Sequence, residues 1–201
     1  MNKQRIAILA SGSGTNAENL VRYFADHPIV EVATVICNRR QAGVYDRLRP
    51  LGIEVEYYGK EHWLDPTQVT RHLQQLGVDL VVLSGFLAVV REPLLSAYRD
   101  RIVNIHPSLL PRHGGPGMYG RHVHDEVIAD GDHESGITIH LVNEQVDGGR
   151  ILAQFICPVL PDDTADTLAA RIHPLEYAHF PPTIEQYLSK KIGDHMAVNS
   201  Q

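Results

Sequence analysis

Apolar positions along this chain gather into short runs, and the stretches between them are longer, amphipathic or rich in glycine. Arg5–Ala10, Val30–Cys37, Ile53–Tyr58, Leu80–Ser84, Ile102–Ile105, Gly136–Val142 and Ile151–Val159 have the length and β-branched content of buried strands. Helical spacing follows most of them, from Ala17 to about Phe24, from Asp65-Pro66 to about Leu76, near Val123, and from Asp163-Thr164 through Tyr187. Asp65 and Pro66 suit a helix start, and Gly77 closes that helix. This alternation predicts an α/β fold, a mostly parallel twisted sheet with helices on both faces. The last two strands are joined through the turn Asp147-Gly-Gly149, which predicts an antiparallel hairpin toward the C-terminal end. With no repeat, low-complexity tract or linker, residues 5–188 read as one domain and 189–201 as a frayed polar tail.

Composition narrows the class. The chain has 201 residues, 43% of them hydrophobic and 21% charged, so it can bury a substantial core. A formal net charge of −6 argues against a nucleic-acid surface while leaving room for a local basic site. The start, Met1-Asn-Lys-Gln-Arg5, leads directly into a strand, and no run approaches a membrane span, so a cytoplasmic location is expected. Cys37 and Cys157 each sit in an apolar strand and read as reduced core thiols.

The chemistry concentrates where strands end. In Asn104-Ile-His-Pro-Ser-Leu-Leu-Pro111, period-2 alternation turns Asn104 and His106 to one side, and the prolines stiffen the exit. Taken alone, such a pair is more often a satisfied core histidine beside a turn asparagine. After the first strand, Ser11-Gly-Ser-Gly-Thr-Asn16 opens a helix; both a phosphate cradle and a plain helix-start turn fit it. It is neither a P-loop nor a dinucleotide fingerprint, lacking Gly-Lys-Ser/Thr and the third glycine. Asp147-Gly-Gly149 by itself is a tight turn. The twelve histidines raise a metal reading around His122, His124, His133 and His140. It is disfavoured, because positions i and i+2 do not share a helix face and His-Glu-x-x-His is absent, so no metal is expected.

Taken together, Ser11–Asn16, Leu83–Phe86, Asn104–Pro111, Gly136–His140, Asp147–Gly149 and Arg171–Glu176 resemble the folate-dependent formyltransferase family over residues 5–188. The resemblance implies a formyltransferase-like fold. It also implies transfer of a formyl group from 10-formyltetrahydrofolate, as co-substrate, to the amine of glycinamide ribonucleotide in purine biosynthesis. By resemblance, Asn104, His106 and Asp147 are catalytic, Gly14, Thr15 and Asn16 hold the substrate phosphate, and Glu176 holds the ribose. Gly85 lies near the amine, while Leu87, Val89, Val90 and Asn143 receive the folate. Glu176 alone would read as part of a solvated helix face.

Two departures stand out. Ala88 occupies a place where relatives often carry an arginine associated with the folate tail, and Arg112–Gly120 is a few residues longer than usual. Four glycines in that loop predict mobility, as a lid or as a connector. Neither a nucleic-acid nor a membrane partner is expected, and monomer and homodimer both stay open. The alternatives are a formyltetrahydrofolate hydrolase, a formyltransferase for another amine such as the tRNA-directed type, and a noncatalytic nucleotide-binding module. The first two are expected to carry additional domains, and the last does not explain Asn104, His106 and Asp147 together.

Overall fold

The computed structural model describes the backbone of residues 3–198 and the side chains of residues 3–190. Seven strands form one sheet: β1 (Gln4–Ala10), β2 (Val30–Cys37), β3 (Val55–Tyr57), β4 (Leu80–Ser84), β5 (Ile102–His106), β6 (Glu134–Leu141) and β7 (Ile151–Pro158). Their order is β3-β2-β1-β4-β5-β6-β7. The first five are parallel, while β6 runs antiparallel to β5 and β7 antiparallel to β6. The helices are α1 (Thr15–Phe24), α2 (Val44–Leu48), α3 (Glu61–Leu64), α4 (Thr67–Gln75), α5 (Leu94–Ala97), α6 (Arg121–Ala129) and α7 (Ala165–Val198).

Alternation within each strand builds two cores. Along β1, Ile6, Ile8 and Ala10 face a core shared with Leu20 and Phe24 of α1, Val127 of α6, and Ile172, Phe180 and Ile184 of α7. Ala7 and Leu9 face the opposite core, with Trp63, Val69, Leu73 and Leu94. Every residue of β4 is buried, as expected of a central parallel strand covered on both sides. The chain turns from β1 toward β2 and β3 on one side and later resumes at β4 on the other. A crevice therefore opens above the carboxyl ends of β1 and β4, where open α/β sheets bind ligands.

Several boundaries differ from expectation for physical reasons. Strand β5 includes His106, because antiparallel pairing with Thr138 of β6 keeps the backbone extended up to Pro107. His106 thus lies inside the strand with Asn104 rather than past it. The β6–β7 connection covers residues 142–150, longer than a tight turn. Gly149 packs its backbone against the Leu141 carbonyl, where any Cβ would collide. Helix α7 continues to Val198, past the expected end at Tyr187 and through most of the stretch expected to fray. Pro174, Pro181 and Pro182 lie inside it, and no proline follows them to stop it. Residues 199–201 lie outside the described residues. Among the described residues, no helix is long and apolar enough to cross a membrane.

Candidate active site

The crevice is braced across its mouth. Ser11 donates its amide to the Gly85 carbonyl at 3.2 Å, and the Leu87 amide donates to Ser11 Oγ at 2.8 Å. Gly14 stands at the start of α1 with φ 77°, a left-handed conformation suited to glycine. A Cβ there would approach Val44 at 2.7 Å, so this buried turn is packed tightly against α2. The amides of the first turn, including Thr15 and Asn16, have no partner within their own helix and carry the positive end of its dipole.

Asn16 meets Glu176 across the whole chain. Its Nδ2 donates to Glu176 Oε2 at 2.8 Å, with the residues 9% and 8% exposed. Glu176 is therefore no solvated helix residue. Burial pushes its carboxyl above the ordinary range, and the Asn16 hydrogen bond only partly opposes this. The Asn16 Oδ1 atom is buried with no protein partner, as is Ser84 Oγ at the end of β4.

The second cluster is made by the antiparallel strands. Asn104 pairs with His140 and His106 with Thr138 across β5 and β6, so all four side chains share one face. His140 donates Nδ1–H to the Leu141 carbonyl at 2.9 Å, leaving Nε2 to accept from Asn104 Nδ2 at 3.1 Å. Asp147, at φ 55°, turns its carboxylate between two imidazoles: Oδ2 is 3.6 Å from His106 Nδ1 and Oδ1 is 3.6 Å from His140 Nε2. The Gly115 amide donates to Oδ2 at 2.9 Å. Burial alone would raise the Asp147 carboxyl, but the His140 and His106 rings in their protonated forms, together with the Gly115 amide, outweigh it and hold it below its ordinary value. Burial pushes the His106 imidazole down, against the opposing pull of Asp147. A buried imidazole is thus kept neutral at rest beside a carboxylate ready to stabilise its protonated form.

Ser108 donates Oγ–H to the Arg112 carbonyl at 2.7 Å and is fully buried, a brace of the proline turn rather than a nucleophile. Thr138 and Gln154 hold the same segment through Leu110. On the far side, Leu87 and Val89 are exposed beside Phe86, which packs edge-on against Trp63, whereas Val90 turns into the core. Asn143 shapes the 143–148 loop by accepting the Gln145 amide at 3.0 Å. His122 is exposed on α6, and His124 is buried there, with burial and the nearby His173 holding it down to about 4. Among the described residues, no group of three or more histidine, cysteine or acidic side chains is arranged to hold a metal.

The structure brings Asn104, His106 and Asp147 together, and separately Asn16 with Glu176; Gly85 is exposed at the end of β4, while Gly14 is buried against α2. His140, a strand residue that the sequence suggests as a structural neighbour of the site, stands in register with Asn104, whereas His113 escaped sequence reasoning and is legible only once its loop is seen folded over the site.

The chain belongs to the formyl transferase family, which matches residues 4–184. Within the family, the chain is similar to phosphoribosylglycinamide formyltransferases. It is 36% identical to the chloroplastic enzyme of Vigna unguiculata over 96% of this chain and 63% of that one, and 32% identical to the Haemophilus influenzae enzyme over 94% and 89%. It spans less than two thirds of the two plant relatives' length, 63% and 60%. The solved Bacillus halodurans phosphoribosylglycinamide formyltransferase superposes with a TM-score of 0.81 at 36% identity, covering 94% of this chain and 97% of that one. The Anaplasma phagocytophilum protein of the same name gives 0.82 at 32% identity, covering 91% and 86%.

Proposed function

We propose that this chain transfers the formyl group of 10-formyltetrahydrofolate to the primary amine of glycinamide ribonucleotide, a step of purine biosynthesis in the cytoplasm, with residues 5–188 as the catalytic domain. The observation that carries the reading is the convergence of Asn104, His106 and Asp147 beside a crevice that also presents the Gly14 turn and the Asn16–Glu176 pair.

In this reading, the amides and side chains of Gly14, Thr15 and Asn16 take the phosphate, and Glu176 accepts from the ribose hydroxyls. Gly85 borders the amine. The pterin rests against Leu87 and Val89, with Val90 beneath and Asn143 shaping the loop opposite. The amine nitrogen attacks the formyl carbon, whose oxygen becomes negative in a tetrahedral intermediate. Asn104 and protonated His106 donate to that oxygen. Asp147 favours the imidazolium and, through a water, passes the amine proton to the folate nitrogen as its bond to carbon breaks. No covalent intermediate with the protein is formed, and charges balance.

Purified protein given 10-formyltetrahydrofolate with and without glycinamide ribonucleotide tests this. Folate release that depends on the ribonucleotide and yields its formylated product is expected. Equal release of formate without it would make the protein a hydrolase.

A further inference from the structure

The long loop after the proline turn is anchored at one end, and its anchor reaches the reacting histidine. His113 donates Nε2–H to Asp132 Oδ2 at 2.8 Å, both side chains nearly buried, and Arg112 closes on the same carboxylate. Asp130 stands 3.8 Å from the other ring nitrogen. Held this way, His113 has φ 51°, a left-handed conformation uncommon for a residue with a side chain. Its carbonyl lies 2.8 Å from His106 Nε2. A carbonyl only accepts, so that nitrogen must carry the hydrogen.

We infer that His113 and Asp132 are positioning residues for His106. Their pair aims the His113 carbonyl so that neutral His106 is fixed with hydrogen on Nε2, leaving Nδ1 to face Asp147 and the crevice. Nδ1 is then the nitrogen that gains and gives the proton. With Nδ1 deprotonated, two acceptors face each other at 3.6 Å; with Nδ1 protonated, its hydrogen can point to the formyl oxygen while Asp147, too far to take the hydrogen bond itself, stabilises the positive ring. Without the anchor, the imidazole can rotate or change tautomer and present the wrong nitrogen. Carboxylates behind metal-bound imidazoles fix ring tautomer and orientation in the same way, and losing one there costs about 10–100-fold.

The inference rests on the formyl-transfer reading for its kinetic part alone, because the tautomer is readable without substrate. Nitrogen-15 NMR of the histidine side chains, assigned by comparison with His106→Ala, should show His106 protonated at Nε2 in the unmodified protein. In Asp132→Ala this should give way to a mixture or to Nδ1–H, whereas Asp132→Asn, which keeps an acceptor for His113, should retain the original pattern. kcat should fall about tenfold or more in Asp132→Ala with both KM values within about twofold, and Asp132→Asn should recover most of it. His113→Asn, whose side chain tolerates the left-handed backbone, provides a second variant if Asp132→Ala does not fold, and should keep more turnover than His113→Ala. An unchanged His106 tautomer in a folded variant lacking the anchor, or equal loss in the alanine and asparagine variants, overturns the inference. Absence of formyl transfer by the unmodified protein would instead remove the functional reading and leave the tautomer result standing.

Discussion

The two halves of the site are built from different materials. Above β1 and β4, the crevice offers a glycine turn, helix-start amides and one buried carboxyl paired with an amide, groups whose hydrogen-bonding capacity is the same before and during reaction. On β5 and β6, it offers two imidazoles around a carboxylate, groups whose charge changes as protons move. Parallel strands ending at a crevice supply the first kind, since their loops expose backbone. The antiparallel pair supplies the second, since register brings side chains from two strands onto one face. On the proposed function, this difference becomes a division of labour in which the first half binds and the second turns over.

The sharpest way to break this division is to neutralise the second half's carboxylate. Asp147→Asn should lower kcat by about 10²–10³ with little change in ribonucleotide KM, the size typical of losing one stabiliser of a developing charge. Burial would then act on His106 unopposed by Asp147, so what activity remains should come from a histidine still harder to protonate. Steady-state kinetics across pH check both points.

The first half should answer in the other parameter. Glu176→Ala should raise ribonucleotide KM by about 10–100-fold, the worth of hydrogen bonds to a charged group, with kcat nearly kept. Equal losses in kcat and KM would blur the boundary between the halves.

Gly14 sharpens the comparison differently. In a phosphate cradle a side chain there would obstruct the anion, and in the structure its Cβ would also meet Val44 of α2 at 2.7 Å. Gly14→Ala should therefore cost stability before affinity, by about 1–2 kcal/mol for the left-handed backbone alone. A urea midpoint lowered in the absence of ligand is the expected result.

The smallest effect concerns the raised carboxyl of Glu176. A carboxyl group whose folded pKa lies above its unfolded value favours folding when protonated, and that stability is lost as pH rises through the folded pKa. Glu176→Gln keeps an acceptor for Asn16 without the charge, so it should raise Tm at pH 7 by about 2–4 °C per kcal/mol gained. The gain should shrink as pH falls through the raised folded pKa and vanish below about 4.3, where glutamate is protonated in both states. A melting series over pH decides it.

Much of the scaffold could be read from residues alone because its signals are local. Ile6, Ile8 and Ala10 against Ala7 and Leu9 announce a strand covered on both faces, and Asp65, which accepts the Thr67 amide, announces a helix start. The pairing of Asn104 with His106 followed from the same period of two. What stayed hidden depended on distant contacts. Glu176 looks like any helix-surface acid until Asn16, 160 residues away, is seen bonded to it. The extra residues of Arg112–Gly120 suggest mobility by their glycines, but Arg112–Gly115 is tied to Asp132, His106 and Asp147 by groups whose partners no local pattern predicts. Polarity at the tail of α7 resembles fraying, yet the helix runs on to Val198 in spite of the three prolines within it.

Ribonucleotide binding and turnover measured on one preparation of folded His106→Ala test the division most directly. The account predicts a Kd within about twofold of the unmodified protein's, together with a kcat lower by about 10²–10³. Near-normal turnover, or a loss of binding as large as the loss of turnover, would contradict it.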